Sequence, residues 1–125
     1  MIRILLVEDD QNVQQMLRQT LVDSGYAVLT ADDGRAAEAM LKEHEIDLLI
    51  TDMVMPTSGV ELLGNLIKPG SDGAPGFKII AISGGGYLDP ERYLRTASIL
   101  GAHRTLAKPI PRDLLLQTIA EVLAE

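Results

Sequence analysis

The chain has 125 residues, 46% of them hydrophobic and 23% charged: one ordinary domain with enough apolar material for a core, not a disordered chain. Its formal net charge is −7 and no run of Lys or Arg occurs, so direct binding to nucleic acid or to an anionic membrane lacks its usual electrostatic drive. Cysteine is absent, which removes disulfides and thiolate metal sites from consideration and fits a reducing cytoplasm.

Residues 2–7 form a near-continuous apolar run that stops at Glu8-Asp9-Asp10. The run is too short for a secretory h-region, and nothing in the chain approaches the roughly 20 apolar residues of a membrane helix. A run of this kind predicts a strand buried on both faces. Asp10 is placed to cap the next helix, whose apolar positions Val13, Met16, Leu17 and Leu21 follow helical spacing until Ser24-Gly25 stops it. Residues 26–31 read as a second strand, and Asp32-Asp33-Gly34 turns into a helix through Ala37, Met40 and Leu41. Residues 46–51 read as a third strand that runs up to Asp52, with a short helix predicted over 60–67. Residues 68–76 are rich in turn formers. A fourth strand follows over 77–82, then a helix opened by Asp89-Pro90 and ended by Gly101. A weaker fifth strand spans 103–107, and Pro111 starts a last helix with Leu115, Ile119 and Val122 on one face.

Five apolar strands alternating with five helices predict an α/β fold: a doubly wound, five-stranded parallel sheet covered on both faces, in a single domain over residues 1–125. In such sheets, ligands bind outside the carboxyl ends of the strands. The polar residues at those ends form a set: Glu8 and Asp9 after the first strand, Asp52 after the third, Ser83 after the fourth, and Lys108 before Pro109 after the fifth. Three crowded carboxylates repel one another, and one lysine offsets only part of the charge. Mg²⁺, a hard cation that takes oxygen ligands and keeps some waters, answers that repulsion. With the charge offset, a carboxylate can attack phosphorus, while the lysine ammonium and serine hydroxyl stabilise the transferred group.

The segments Leu5-Leu6-Val7-Glu8-Asp9-Asp10, Leu49-Ile50-Thr51-Asp52-Met53-Val54-Met55-Pro56, Ile80-Ala81-Ile82-Ser83-Gly84 and Leu106-Ala107-Lys108-Pro109 resemble the receiver domain of two-component response regulators. Each segment alone is weak; the four in order at strand ends are specific, and the resemblance covers nearly the whole chain. It implies the flavodoxin-like strand order 2-1-3-4-5. It also implies Asp52 as phosphoacceptor, with Ser83 and Lys108 on the phosphoryl oxygens. The implied Mg²⁺ ligands are Glu8, Asp9, Asp52 and the Val54 carbonyl, with Asp9 the more direct of the acidic pair. The implied partners are a sensor histidine kinase or phosphotransfer protein and an unknown downstream protein: the 125 residues hold no output domain, whether they are a free-standing receiver or a piece of a larger regulator. The expected chemistry is confined to the protein's own phosphorylation and dephosphorylation, so the chain is not an enzyme acting on other substrates.

The chain departs from the family pattern at Thr105, where receivers often carry an aromatic switch residue. Signal transmission is therefore expected to run mainly through residues 84–86 and the helix after them. Val54 and Gly85 stand where receivers place the side chains that orient hydrolytic water, and neither can hydrogen-bond water, which predicts a slowly lost phosphoryl group. Other readings carry less. A flavin carrier needs a phosphate loop where Glu8-Asp9-Asp10 would repel phosphate. A phosphohydrolase usually wants an acid at Val54. A pseudo-receiver has no use for the intact acid set. Asp10, Asp32, Asp33 and Asp89 read as caps or turn residues, His44 and His103 as surface residues, and Met53 and Met55 as packing.

Overall fold

The structure, a computed structural model, describes residues 1–53, 76–83 and 102–125. Five strands, β1 (Arg3–Val7), β2 (Ala27–Ala31), β3 (Leu48–Asp52), β4 (Lys78–Ser83) and β5 (Arg104–Ala107), form one parallel sheet in the order β2-β1-β3-β4-β5. Three helices lie among the described residues: α1 (Gln11–Asp23), α2 (Gly34–Glu43) and α3 (Arg112–Ala124). The helices predicted over 60–67 and from Asp89-Pro90 fall outside them.

Side chains on a strand alternate between faces, and the apolar runs supply both. Ile4, Leu6, Leu48, Ile50, Ile80, Ile82 and Leu106 face one layer, where Leu17 and Leu21 of α1 and Leu115, Ile119 and Val122 of α3 close over them. Leu5, Val7, Leu49, Ile79 and Ala81 face the other, against Ala37 of α2 and Met53, with Met40 and Leu41 partly buried there. Met53 thus packs as expected. Met16 does not: it is 61% exposed, and the polar Gln14 points inward in its place.

Helices α1 and α2 each begin where a capping side chain makes bonds, whereas α3 starts after Pro111, which makes no side-chain cap bond. Asp10 accepts from the main-chain N–H groups of Asn12 and Val13, and Asp33 from that of Ala36. The end of α1 is closed by Gly25 at φ 95°, with Gly25 N–H donating to Val22 O at 3.0 Å and Tyr26 N–H to Leu21 O at 3.2 Å. That pair of bonds is a Schellman closure, which requires a left-handed residue at this position.

The ladder continues past the strand ends, and this is what builds the site. Glu8 N–H donates to Ala31 O at 3.1 Å, Met53 N–H to Ile82 O at 2.9 Å, and Lys108 N–H to Ser83 O at 2.8 Å. The backbones of Glu8, Asp52 and Lys108 are thereby held at one edge of the sheet. His103 is not the surface residue expected. It is half-buried, and its Nδ1 accepts from Ile79 N–H at 3.0 Å, satisfying a sheet donor that the ladder leaves over. His44 is exposed.

Candidate functional site

At the carboxyl edge of the sheet, Lys108 Nζ lies 2.5 Å from Glu8 Oε1 and 2.6 Å from Asp52 Oδ2. The Lys108–Pro109 bond that precedes α3 is cis. Glu8 is sealed from solvent and Asp52 is 2% exposed, so the ammonium partners two buried carboxylates. Asp9 is exposed, yet its carboxylate joins theirs: one oxygen from each of Glu8, Asp9 and Asp52 falls within 4.8 Å of the others. Ser83 is buried at the end of β4, one strand over from Asp52. Of the residues expected at the site, the structure gathers Glu8, Asp9, Asp52 and Lys108, and places Ser83 on the same edge. Val54 and Gly85 lie outside the described residues.

Burial pushes the Glu8 carboxyl up to about 8, helped by its hydrogen bond with Asp52 and opposed by Lys108. For Lys108, burial works to lower the ammonium, but its bonds to Asp52 and Glu8 outweigh it and hold the group above its ordinary value. Two buried polar atoms, Glu8 Oε2 and Ser83 Oγ, have no hydrogen-bond partner among the described residues. Atoms so placed normally have one, because leaving a buried polar group unpaired costs about 1–3 kcal/mol. An unpaired carboxylate oxygen inside a cluster of three acids fits a hard divalent cation with oxygen ligands. An unpaired hydroxyl fits an incoming acceptor oxygen.

Gln14 carried no expectation from the sequence, and Asp32 was expected only as a turn or cap residue. Gln14 Nε2 donates to Glu8 O at 2.8 Å and to Asp32 Oδ1 at 3.0 Å, and Gln11 Nε2 also reaches Asp32 Oδ1 at 3.0 Å. These bonds from Gln11 and then Gln14 hold the Asp32 carboxyl below its usual range. A signal was present: Gln14 lies three and seven residues before Leu17 and Leu21, on the inward face of α1.

A buried aspartate, a lysine and a cluster of three acids that could hold a metal ion lie at the carboxyl edge of a doubly wound sheet, the arrangement of a phosphoryl-handling class of α/β proteins. The family model of the response regulator receiver domain matches residues 4–120. The chemotaxis response regulator CheY4 of Vibrio cholerae is 30% identical, with a TM-score of 0.81 and 98% of each chain covered. The response regulator protein TrrA of Thermotoga maritima, solved in complex with Mg²⁺ and BeF, is 28% identical, with a TM-score of 0.77 over 98% of this chain and 99% of that one. The virulence sensor protein BvgS of Bordetella pertussis is 34% identical over 98% of this chain, which spans only 10% of that relative's length. The chain belongs to the response regulator receiver domain family of two-component signalling. Among the described residues, no helix is long and apolar enough to cross a membrane.

Proposed function

We propose that residues 1–125 act as one receiver unit that takes a phosphoryl group onto Asp52 from the phosphohistidine of a sensor histidine kinase or phosphotransfer protein. The observation that carries this reading is Asp52 itself, nearly sealed from solvent at the end of β3, with Lys108 Nζ 2.6 Å away and Glu8 and Asp9 alongside. In the transfer, an Asp52 carboxylate oxygen forms the new O–P bond as the donor's N–P bond breaks, and the departing imidazole nitrogen keeps the bonding pair. Lys108 Nζ pairs with a phosphoryl oxygen as charge moves from the carboxylate onto the phosphoryl group. Ser83 Oγ donates its proton in a hydrogen bond to another.

Glu8, Asp9 and Asp52 would hold Mg²⁺, with the Val54 carbonyl as the ligand that the family resemblance adds. When bound, the ion offsets the charge that carboxylates and phosphoryl oxygens would otherwise set against each other. Glu8 contributes by staying fixed, since its N–H is tied to β2 and its carbonyl to α1. The chemistry is confined to gaining and losing the protein's own phosphoryl group, and the signal passes to a downstream protein in the cytoplasm. The net charge of −7 argues against nucleic acid or a membrane as the direct target.

Incubating the protein with Mg²⁺ and acetyl phosphate and mapping the modified residue tests this reading. A single label at Asp52 is expected, absent from a folded Asp52→Asn variant. Label that persists in that variant on another acid overturns the assignment.

A further inference from the structure

Glu8 is held from two sides, and the second holder is a side chain with no part in the transfer described above. On its amino side, Glu8 N–H donates to Ala31 O within the extended ladder. Its own carbonyl, which leads into Asp9, lies past the end of β1 and accepts from Gln14 Nε2 at 2.8 Å. Gln14 is 7% exposed on the first turn of α1, and its main-chain N–H donates to Asp10 O at 2.8 Å. The same Nε2 lies 3.0 Å from Asp32 Oδ1 and a longer 3.4 Å from Ala31 O. A primary amide has two N–H groups, so the Glu8 carbonyl and the Asp32 carboxylate take the two good bonds. Asp32 is in turn tied to Gln11 of the same helix.

We propose that Gln14 is a positioning residue for the acid cluster: by bonding the Glu8 carbonyl and the Asp32 carboxylate together, its carboxamide fixes the peptide between Glu8 and Asp9. That peptide sets the direction in which both acid side chains leave the strand. Rotating it moves the Glu8 and Asp9 oxygens relative to Asp52, and Mg²⁺ tolerates little departure from octahedral geometry. Partners that orient metal ligands from behind typically govern about 10–100-fold of metal affinity. The proposal rests on the reading of Glu8, Asp9 and Asp52 as a Mg²⁺ site.

The test is calorimetric titration of the whole chain with Mg²⁺, paired with amide chemical shifts of the metal-free protein. In Gln14→Leu the dissociation constant is expected to rise about tenfold or more. In that variant the Asp9 amide should shift while core amides such as Leu5 and Ile80 stay in place. Gln14→Glu, which sets an acceptor against a carbonyl, should be at least as weak. Gln14→Arg, whose forked donors can span the same acceptors, should return most of the affinity. Wild-type affinity in a Gln14→Leu protein that is merely less stable overturns the proposal and leaves the metal site standing. Wild-type protein that binds no Mg²⁺ overturns the site reading itself. Should Gln14→Leu not fold, Asp32→Ala at an exposed position decides: a smaller rise in the dissociation constant supports the tether, and an unchanged one refutes it.

Discussion

Lys108 Nζ lies 2.5 Å from Glu8 Oε1, although the two residues are 100 positions apart in the chain. Ladder bonds make that meeting possible. Glu8 is tied to Ala31 on one side of the sheet, and Lys108 is tied to Ser83 on the other. Between them Asp52 shares the same ammonium. In the metal-free protein, Lys108 therefore acts as the internal countercharge of the acid cluster.

Replacing Lys108 by Met removes that countercharge while keeping an unbranched stem. Charge-assisted bonds contribute about 1.5–3 kcal/mol each, and their loss leaves two buried acids facing each other with no countercharge. Urea unfolding in EDTA should register a loss of roughly that size. Mg²⁺ should restore much of it and bind more tightly than to wild type, because a competing cation has gone. Phosphorylation by acetyl phosphate should nonetheless fall. A variant as stable as wild type in EDTA would contradict the countercharge role.

Glu8 makes the metal-free protein sensitive to pH. Burial and the Asp52 bond raise its carboxyl from an ordinary 4.5 to about 8. Between those values the native state keeps a proton that the unfolded chain has lost. The stability contributed is fully present below the unfolded value and is lost as pH rises through the folded one. Denaturation in EDTA should therefore show a less stable protein at about pH 9 than at about pH 6, with the slope largely gone in Glu8→Gln. Mg²⁺ must displace the same proton, so its affinity should climb with pH across this window.

Gly25 offers a test of the fold that does not involve the site. Among the described residues, none beyond its chain neighbours has an atom within 4 Å of the Cβ position, so Gly25→Ala meets no clash with them and costs only the left-handed backbone at φ 95°. The expected cost is about 1–2 kcal/mol, read as a lower denaturation midpoint with unchanged Mg²⁺ affinity. A neutral substitution would mean that α1 can end in another way.

The sheet and its edge were legible in the sequence because apolar runs between acids allow little else. Strand ends were less so. Asp52 and Ser83 were expected just beyond their strands, yet each is the last residue within one. Parallel pairing is made by the main chain and does not stop at the first polar side chain. Helical spacing placed Met16 inward with Leu17, but the first turn of α1 lies beside the strand-end carbonyls of Glu8 and Ala31. There a buried donor, Gln14, is worth more than another apolar contact. The half-buried His103 was expected at the surface for a related reason. Its partner, the Ile79 N–H, is 24 residues away and becomes a neighbour only through the β4–β5 pairing.

Asp9 and Asp10 are neighbours of identical chemistry whose carboxylates the structure places differently. The Asp9 carboxylate comes within 4.8 Å of those of Glu8 and Asp52. Asp10 Oδ1 instead accepts from Asn12 N–H at 3.0 Å and Val13 N–H at 3.2 Å, which engages it as the cap of α1. Asp9→Ala should weaken Mg²⁺ binding by about tenfold or more, as the loss of a directly coordinating carboxylate should exceed that of an orienting partner. It should also leave the metal-free fold as stable as wild type or more so, since one of three mutually repelling acids has gone. Asp10→Ala should cost about 1 kcal/mol of stability, the usual value of a helix cap, with a dissociation constant for Mg²⁺ close to wild type. Paired titration and denaturation of the two variants separates the roles. Equal Mg²⁺ affinity in both would mean that the acid turning toward the cluster is not the one that holds the ion.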